Sequence, residues 1–414
     1  MSAYKPDQDR IRNALWGLFV ADALAMPAHW YYSLANIKRD FGGGITGFVD
    51  PPHPHPEAFM VGMSYRPDLD TAKQLQRPYD ILHDHVRFYD TTYAPLGIKL
   101  SERESEHGNA VAAEKERYHY HHGLTAGDNT VAAHLVRVLL RTVAAHGEYR
   151  QDAFLDAFVE HLTTPGRNRD PYLEIYIRHW FQNWTSGVPA YASADYQRRV
   201  WSIGSHGGLM RPMVVGLLPP SDFQALGVAI EHHNLTHRSE NNVSALSVLV
   251  PLLRALVSGE HPTEATPRFA RAIRVPRVTG EELYEKYRSH GGPGGIPPDE
   301  MWRLHTELAE DSFDLEALVR DVTPDRVARA LLANACYPEH GVPLLLYHAM
   351  ANGFDPTDSL LANANAGGDN VHRGMVLGLL VGAAAPIPDT LKTGLTEYEG
   401  IAREIEAFVT TLPA

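Results

Sequence analysis

Residues 363–383, Asn-Ala-Asn-Ala-Gly-Gly-Asp-Asn-Val-His-Arg-Gly-Met-Val-Leu-Gly-Leu-Leu-Val-Gly-Ala, constrain the fold more than any other stretch of the chain. The second half reads as an apolar helix with glycine at 374, 378 and 382, one per turn on a single face. Each mid-helix glycine is unfavourable by roughly 1 kcal/mol relative to alanine. Three in register imply a compensating gain, and very close approach of a second helix supplies one. The first half concentrates Asn363, Asn365, Gly367, Gly368, Asp369, Asn370, His372 and Arg373 in a predicted loop at the start of that helix. Backbone N–H groups and the helix dipole favour anionic or oxygen-rich ligands there. The segment therefore predicts a helix wedged into the core with a polar site at its N-terminus, the alternative being a capped turn before a core helix.

The rest of the pattern is helical as well. Apolar periodicity predicts helices over 8–26, from about Asp128 onward (Val131, Leu135, Val138, Leu139), and over 151–163, 171–184, 221–235, 241–258, 298–309, 325–335, 340–352 and 395–411. Few alternating strand patterns appear, so the fold class expected is all-α. Proline and glycine clusters mark loops at 41–44, 51–56 and 291–298. Periodicity resumes on both sides of the last one, which predicts one compact domain over 1–414 with loop insertions near 41–70 and 290–298. A net charge of −13 argues against nucleic acid or an anionic membrane as partner. The single cysteine, Cys336, excludes an intramolecular disulfide and a thiolate metal cage. The polar first ten residues lack the apolar core of a signal peptide, and no apolar run approaches a membrane span, so a cytoplasmic protein is expected.

Four further segments combine a small-residue polar turn with a tightly packed helix. In the first, Asp22 lies inside an apolar helix that Pro27 ends, and His29 projects beside Trp30, Tyr31 and Tyr32. A buried Asp22 must find donors, and capping a neighbouring helix is at least as good an explanation as catalysis. In the second, Asp128, Asn129 and Thr130 present three consecutive side-chain oxygens, which suits a hard cation or sugar hydroxyls, and equally an N-cap. The third, Gly204–Pro212, offers Ser205, His206, Gly207 and Gly208 for close backbone approach to an anion, and an Arg211 in need of an anionic partner. The fourth is His232-His-Asn-Leu-Thr-His237, a pocket edge or a solvated helix end.

Taken in order, these segments resemble the ADP-ribosylglycohydrolase family, which includes enzymes that reverse ADP-ribosylation of dinitrogenase reductase and the J1-type lens crystallins. The family's motifs run Gly-Asp-Ala-Leu-Gly-x-Pro-x-Glu, Thr-Asp-Asp-Thr, Gly-x-Gly-x-Met-Arg, Thr-His and Gly-Gly-Asp-Thr-Asp-Thr. Here they look like Ala21-Asp-Ala-Leu-Ala-Met-Pro-Ala-His29, Gly127-Asp-Asn-Thr130, Ser205-His-Gly-Gly-Leu-Met-Arg211, Thr236-His237 and Gly367-Gly-Asp-Asn-Val-His372, spread over residues 11 to 383. The resemblance implies an orthogonal all-α helical bundle whose cleft holds two magnesium ions and cleaves an N- or O-glycosidic bond to ADP-ribose.

The departures from that pattern are chemical. The acid after the proline is His29, the aspartate pair is Asp128-Asn129, and the last motif keeps Asp369 but carries Asn370, Val371 and His372. Two carboxylate ligands and one hydroxyl ligand are thus lost, and Mg²⁺ depends on charged oxygen donors. The expectation is a hydrolase acting on a ribosyl-type bond of a small polar substrate, with no metal or other cofactor. If one Mg²⁺ binds, Asp128, Thr130 and Asp369 are its expected ligands, with His372 as an added one. Asp128, Asp369, His29 and His372 are the expected catalytic groups. Asn129, Thr130, Ser205, His206, Gly207, Gly208, His237, Asn370 and Arg373 are the expected substrate contacts, with Arg373 pairing with Asp369 or with a ligand anion. The alternatives are a non-catalytic binding or crystallin-like structural protein, and a conventional Mg²⁺-dependent hydrolase.

Overall fold

The glycine face at 374, 378 and 382 meets its partner helix in the computed structural model, which describes residues 4–58, 63–91, 93, 118–196 and 204–412. The partner is α1 (Gln8–Ala25), N-capped by Asp7, whose carboxylate accepts from the amides of Asp9 and Arg10. In chain order the other long helices used below are α2 (Val131–His146), α3 (Ile175–Thr185), α4 (Asp222–Thr236), α5 (Glu240–Val257), α6 (Pro338–Ala351), α7 (Pro356–Ala366), α8 (Asn370–Ala384) and α9 (Tyr398–Val409). A Cβ at Gly378 would lie 2.2 Å from the carbonyl oxygen of Gly17, and one at Gly382 would lie 2.2 Å from that of Asn13. Backbone therefore packs on backbone, and α1 and α8 are buried on nearly every side. The apolar core wraps this pair.

Helices dominate the remainder, and the fold is all-α. The described strands are two three-residue pieces, Met63–Tyr65 and Tyr89–Thr91, paired in parallel with Met63 opposite Tyr89. The first lies inside the insertion expected near 41–70, of which residues 59–62 fall outside the described part, and the second lies well outside it. The insertion expected near 290–298 contains a short turn, Pro293–Gly295. Among the described residues no helix is long and apolar enough to cross a membrane.

Three helical expectations need correction, each for a tertiary reason. The predicted loop at 363–370 is mostly helix: Asn363 and Asn365 belong to α7, and the break is confined to Gly367-Gly368-Asp369. Gly367 and Gly368 both take positive φ, 62° and 65°, and a Cβ on Gly368 would lie 1.8 Å from the carbonyl oxygen of Asn334. The helix predicted at 325–335 stops at Val327, because the carbonyls of Ala330 and Leu331 accept from the first amides of the helix Gly280–Ser289. The one predicted from 171 begins at Ile175: the amide of Tyr172 bonds to Asp170 and that of Leu173 to the Tyr89 hydroxyl, which keeps Pro171–Glu174 out of the helix and leaves Glu174 at its N-cap.

Candidate active site

Asp369 is the N-cap residue of α8, wholly buried, and its amide bonds to the carbonyl of Asn334. Its carboxylate collects three imidazoles. His372 Nδ1 lies 2.6 Å and His29 Nε2 lies 3.3 Å from the same oxygen, Oδ1. His206 Nδ1 lies 3.0 Å from Oδ2. The line of side chains continues in both directions. His372 Nε2 sits 3.1 Å from Glu174 Oε1. His29 Nδ1 sits 2.7 Å from His121 Nε2, and His121 Nδ1 sits 2.9 Å from Asp170 Oδ1. A continuous buried line of six groups results: Asp170, His121, His29, Asp369, His372, Glu174.

Several elements hold this line in place. The 3₁₀ turn Met26–Ala28, with Pro27 inside it, ends α1 and aims His29 inward. The backbone around it is pinned by two more imidazoles, His119 against the carbonyl of Pro27 and His55 against that of His29. Glycines make room on the far side. A Cβ at Gly207 would stand 2.5 Å from Glu174 Oε2, and one at Gly341 would stand 1.7 Å from His206 Nε2. Trp30 stacks on His29 at 4.6 Å and takes φ 66°, a strained value for a bulky residue and one that clusters at functional sites. Its indole N–H is buried with no partner among the described residues. Tyr172 meets His29 edge-on at 5.5 Å.

Electrostatics polarise the line. Burial disfavours a charged His372, but Asp369 and Glu174 on either side of it outweigh that and hold its pKa well above the ordinary value. Burial likewise works against ionised Asp369, and the three surrounding imidazoles overcome it, holding its pKa well below the usual range. Burial lowers His29 to about 3 and also lowers His206, so both are neutral rings.

Of the sequence-predicted residues, Asp369, His29, His372 and His206 come together here. Asp128 does not join them. It accepts from Thr396, from the amide and hydroxyl of Thr125, and from Arg169. Burial would raise its pKa, but those donors win and lower it. Nor does Asp128 cap α2: the first amides there are taken by remote carboxylates, Thr130 by Asp22 and Val131 by Asp170. Asn129 donates to Asp22 and to the carbonyl of Phe19, and the Thr130 hydroxyl donates to Asp22. The expected single-ion set of Asp128, Thr130 and Asp369 is therefore not assembled.

Arg373 does not pair with Asp369 by a hydrogen bond. Its fork is consumed by Asn363 Oδ1 and by the carbonyls of Asn334, Asn363 and Gly367, tying α7 to α8. Arg211 finds no carboxylate either, but the hydroxyls of Tyr176 and Thr236 and the ring faces of Tyr176 and Phe154. The Asn370 amide donates to the carbonyl of Ala364. The carbonyl of Ser205 accepts from Asn242, while His237, packed on the Tyr176 ring, bonds to Thr236. A Cβ at Gly208 would strike Asn242. Sequence reasoning missed His121, Asp170 and Glu174. The available signals were His119-Tyr-His-His and Asp170-Pro-Tyr-Leu-Glu, short polar runs flanked by aromatics.

The sequence pattern of the ADP-ribosylglycohydrolase family matches residues 4–412. The chain belongs to that family. Among solved structures it is similar to an ADP-ribosylglycohydrolase-related protein complex at 17% identity, with a TM-score of 0.53 and 98% of each chain covered, which establishes a shared fold. Comparison with curated proteins gives no match. Members of the family are generally hydrolytic and usually use a divalent metal. The donors here do not fit a pair of magnesium ions: one carboxylate stands among three imidazoles, and the other expected oxygens are bonded within the protein. Magnesium requires near-octahedral oxygen ligation. The described His/Asp cluster whose nitrogen and oxygen atoms lie close enough to share an ion is His29, Asp369 and His372.

Proposed function

We propose that this family member hydrolyses a ribosyl-type glycosidic bond in a small polar substrate, at Asp369 and without the family's two-magnesium centre. The observation that carries the reading is the buried line from Asp170 to Glu174, centred on the aspartate that the last family motif retains. Hydrolysis of such a bond passes through an oxocarbenium-like state, needs a proton for the leaving group, and needs one taken from water. His29 and His372 are the groups that exchange protons at Asp369. Asp170 and Glu174 absorb the charge at the ends. The aromatic wall of Trp30 and Tyr172, with the unpartnered indole N–H, suits a flat or sugar ring carrying acceptors.

The test is turnover of ADP-ribosylated and simple ribosyl substrates by the purified full chain and by Asp369→Asn. A loss of about 10²-fold or more in kcat, with far-UV circular dichroism unchanged, is expected on removing a charge from the reacting centre. A folded Asp369→Asn that retains full turnover refutes the assignment. Absence of turnover across the panel by the unaltered chain refutes the substrate class.

A further inference from the structure

We infer that His29 Nε2, Asp369 Oδ1 and His372 Nδ1 form a binding site for one divalent transition-metal ion of the zinc type, in place of the magnesium that the family uses. This rests on the functional reading for its location alone: while the ion is bound, His29 Nε2 and His372 Nδ1 are its ligands, and the proton exchange assigned to them above belongs to the metal-free protein. The three ligand atoms lie within 4.8 Å of one another. The separation of 3.3 Å between His29 Nε2 and Asp369 Oδ1 is that of two ligands on one tetrahedral zinc, about 3.3 Å for bonds near 2 Å. The 2.6 Å between His372 Nδ1 and Asp369 Oδ1 is a direct hydrogen bond and has to open by about 0.7 Å on binding. Two imidazoles and one carboxylate suit zinc or its first-row neighbours, not magnesium.

The outer atoms of the ligands are arranged as such a site requires. Metal-bound histidines hold their second ring nitrogen against a carboxylate, a carbonyl or water, which fixes the ring and raises its basicity. His372 Nε2 faces Glu174 at 3.1 Å. His29 Nδ1 faces His121, which in turn bonds to Asp170. The remaining oxygen of Asp369 accepts from His206.

Chelator-treated full-length protein is titrated with Zn²⁺, and separately with Mg²⁺, by equilibrium dialysis with metal analysis. X-ray absorption of the zinc-loaded chain reports the ligands without any variant. The expected result is one tightly held zinc per chain with imidazole and carboxylate scattering, and no comparable magnesium binding. His372→Asn should abolish tight binding. Glu174→Gln, which removes charge beyond the ligand shell, should weaken it about 10- to 100-fold. No tight zinc in the folded protein, or tight zinc unchanged in both variants, overturns the inference, the latter by showing adventitious binding to other histidines. None of these readouts requires a substrate, so failure of the metal site and failure of the hydrolase reading are distinguished.

Discussion

The contact of α1 with α8 makes a prediction whose sign depends on three-dimensional packing alone. Gly378→Ala and Gly227→Ala are the same chemical change inside helices, and each gains roughly 1 kcal/mol in helix propensity. At 227, in α4, an added methyl meets nothing within 4 Å. At 378 it lies 2.2 Å from the Gly17 carbonyl oxygen, 2.4 Å from its carbon and 2.8 Å from the Leu18 nitrogen, all of them backbone. Ordinary contact begins at 3.4 Å, so the helices must part by about 1.2 Å. No side chain can swing aside, and α1 is packed on its other faces too. Overpacking of this kind costs about 1–3 kcal/mol and occasionally more. With backbone opposed to backbone the upper end applies, so Gly378→Ala should lose about 2 kcal/mol net while Gly227→Ala gains up to about 1 kcal/mol. Thermal unfolding followed by far-UV circular dichroism should place the two variants on opposite sides of the wild type, several degrees apart. A neutral or stabilised Gly378→Ala would refute the close-contact explanation of the three glycines.

Three other perturbations test the polar interior. Burial raises the Glu339 carboxyl to about 8, above its ordinary value, so between pH 4.5 and about 8 the unfolded chain sheds a proton that the folded one keeps, and stability falls as pH rises. Glu339→Gln should therefore raise Tm more at pH 8 than at pH 5, and a pH-independent difference would contradict the shift. Asp22→Ala strands the amide of Thr130, its hydroxyl and the Asn129 side chain, and should cost roughly 3 kcal/mol in chemical denaturation, with Asp22→Asn losing less. Arg373→Lys should destabilise nearly as much as Arg373→Met, because a single ammonium cannot reproduce the fork that reaches four oxygens; full rescue by lysine would show that charge alone matters there.

The sequence carried the helical pattern and the close pairing behind the glycine triplet, because burial and glycine spacing are written in one-dimensional periodicity. It located Asp369, His29, His372 and His206, because each sits in a segment of unusual composition. It did not reveal where Asp128, Asn129, Thr130 and Arg373 spend their hydrogen bonds. Consecutive polar side chains at a helix start look alike whether they face a cation or, as Asn129 and Thr130 do, a buried Asp22 from another helix, and only the packing of α1 beside α2 decides between these. Asp170 and Glu174 were invisible for a related reason: their partners, His121 and His372, are 49 and 198 residues away, the second from 372 minus 174.

The departures from the family pattern fall into two groups in space. Where an oxygen was replaced by Asn129 or Val371, the new side chain is absorbed into the protein: Asn129 holds Asp22 and the carbonyl of Phe19, and Val371 is fully buried in the core. Where it was replaced by histidine, at 29 and 372, both rings reach the same oxygen of the one retained aspartate across 343 residues of chain, from 372 minus 29. Each also has its outer nitrogen held, one by Glu174 and one by His121 with Asp170 behind it. Decay of an unused site relieves a buried carboxylate by losing it. Here Asp369 stays wholly buried and gains nitrogen donors, an arrangement that costs desolvation and is stable only while those donors or a cation remain. If the site works as proposed, the retained carboxylate and the two imidazoles around it set one donor chemistry in place of another.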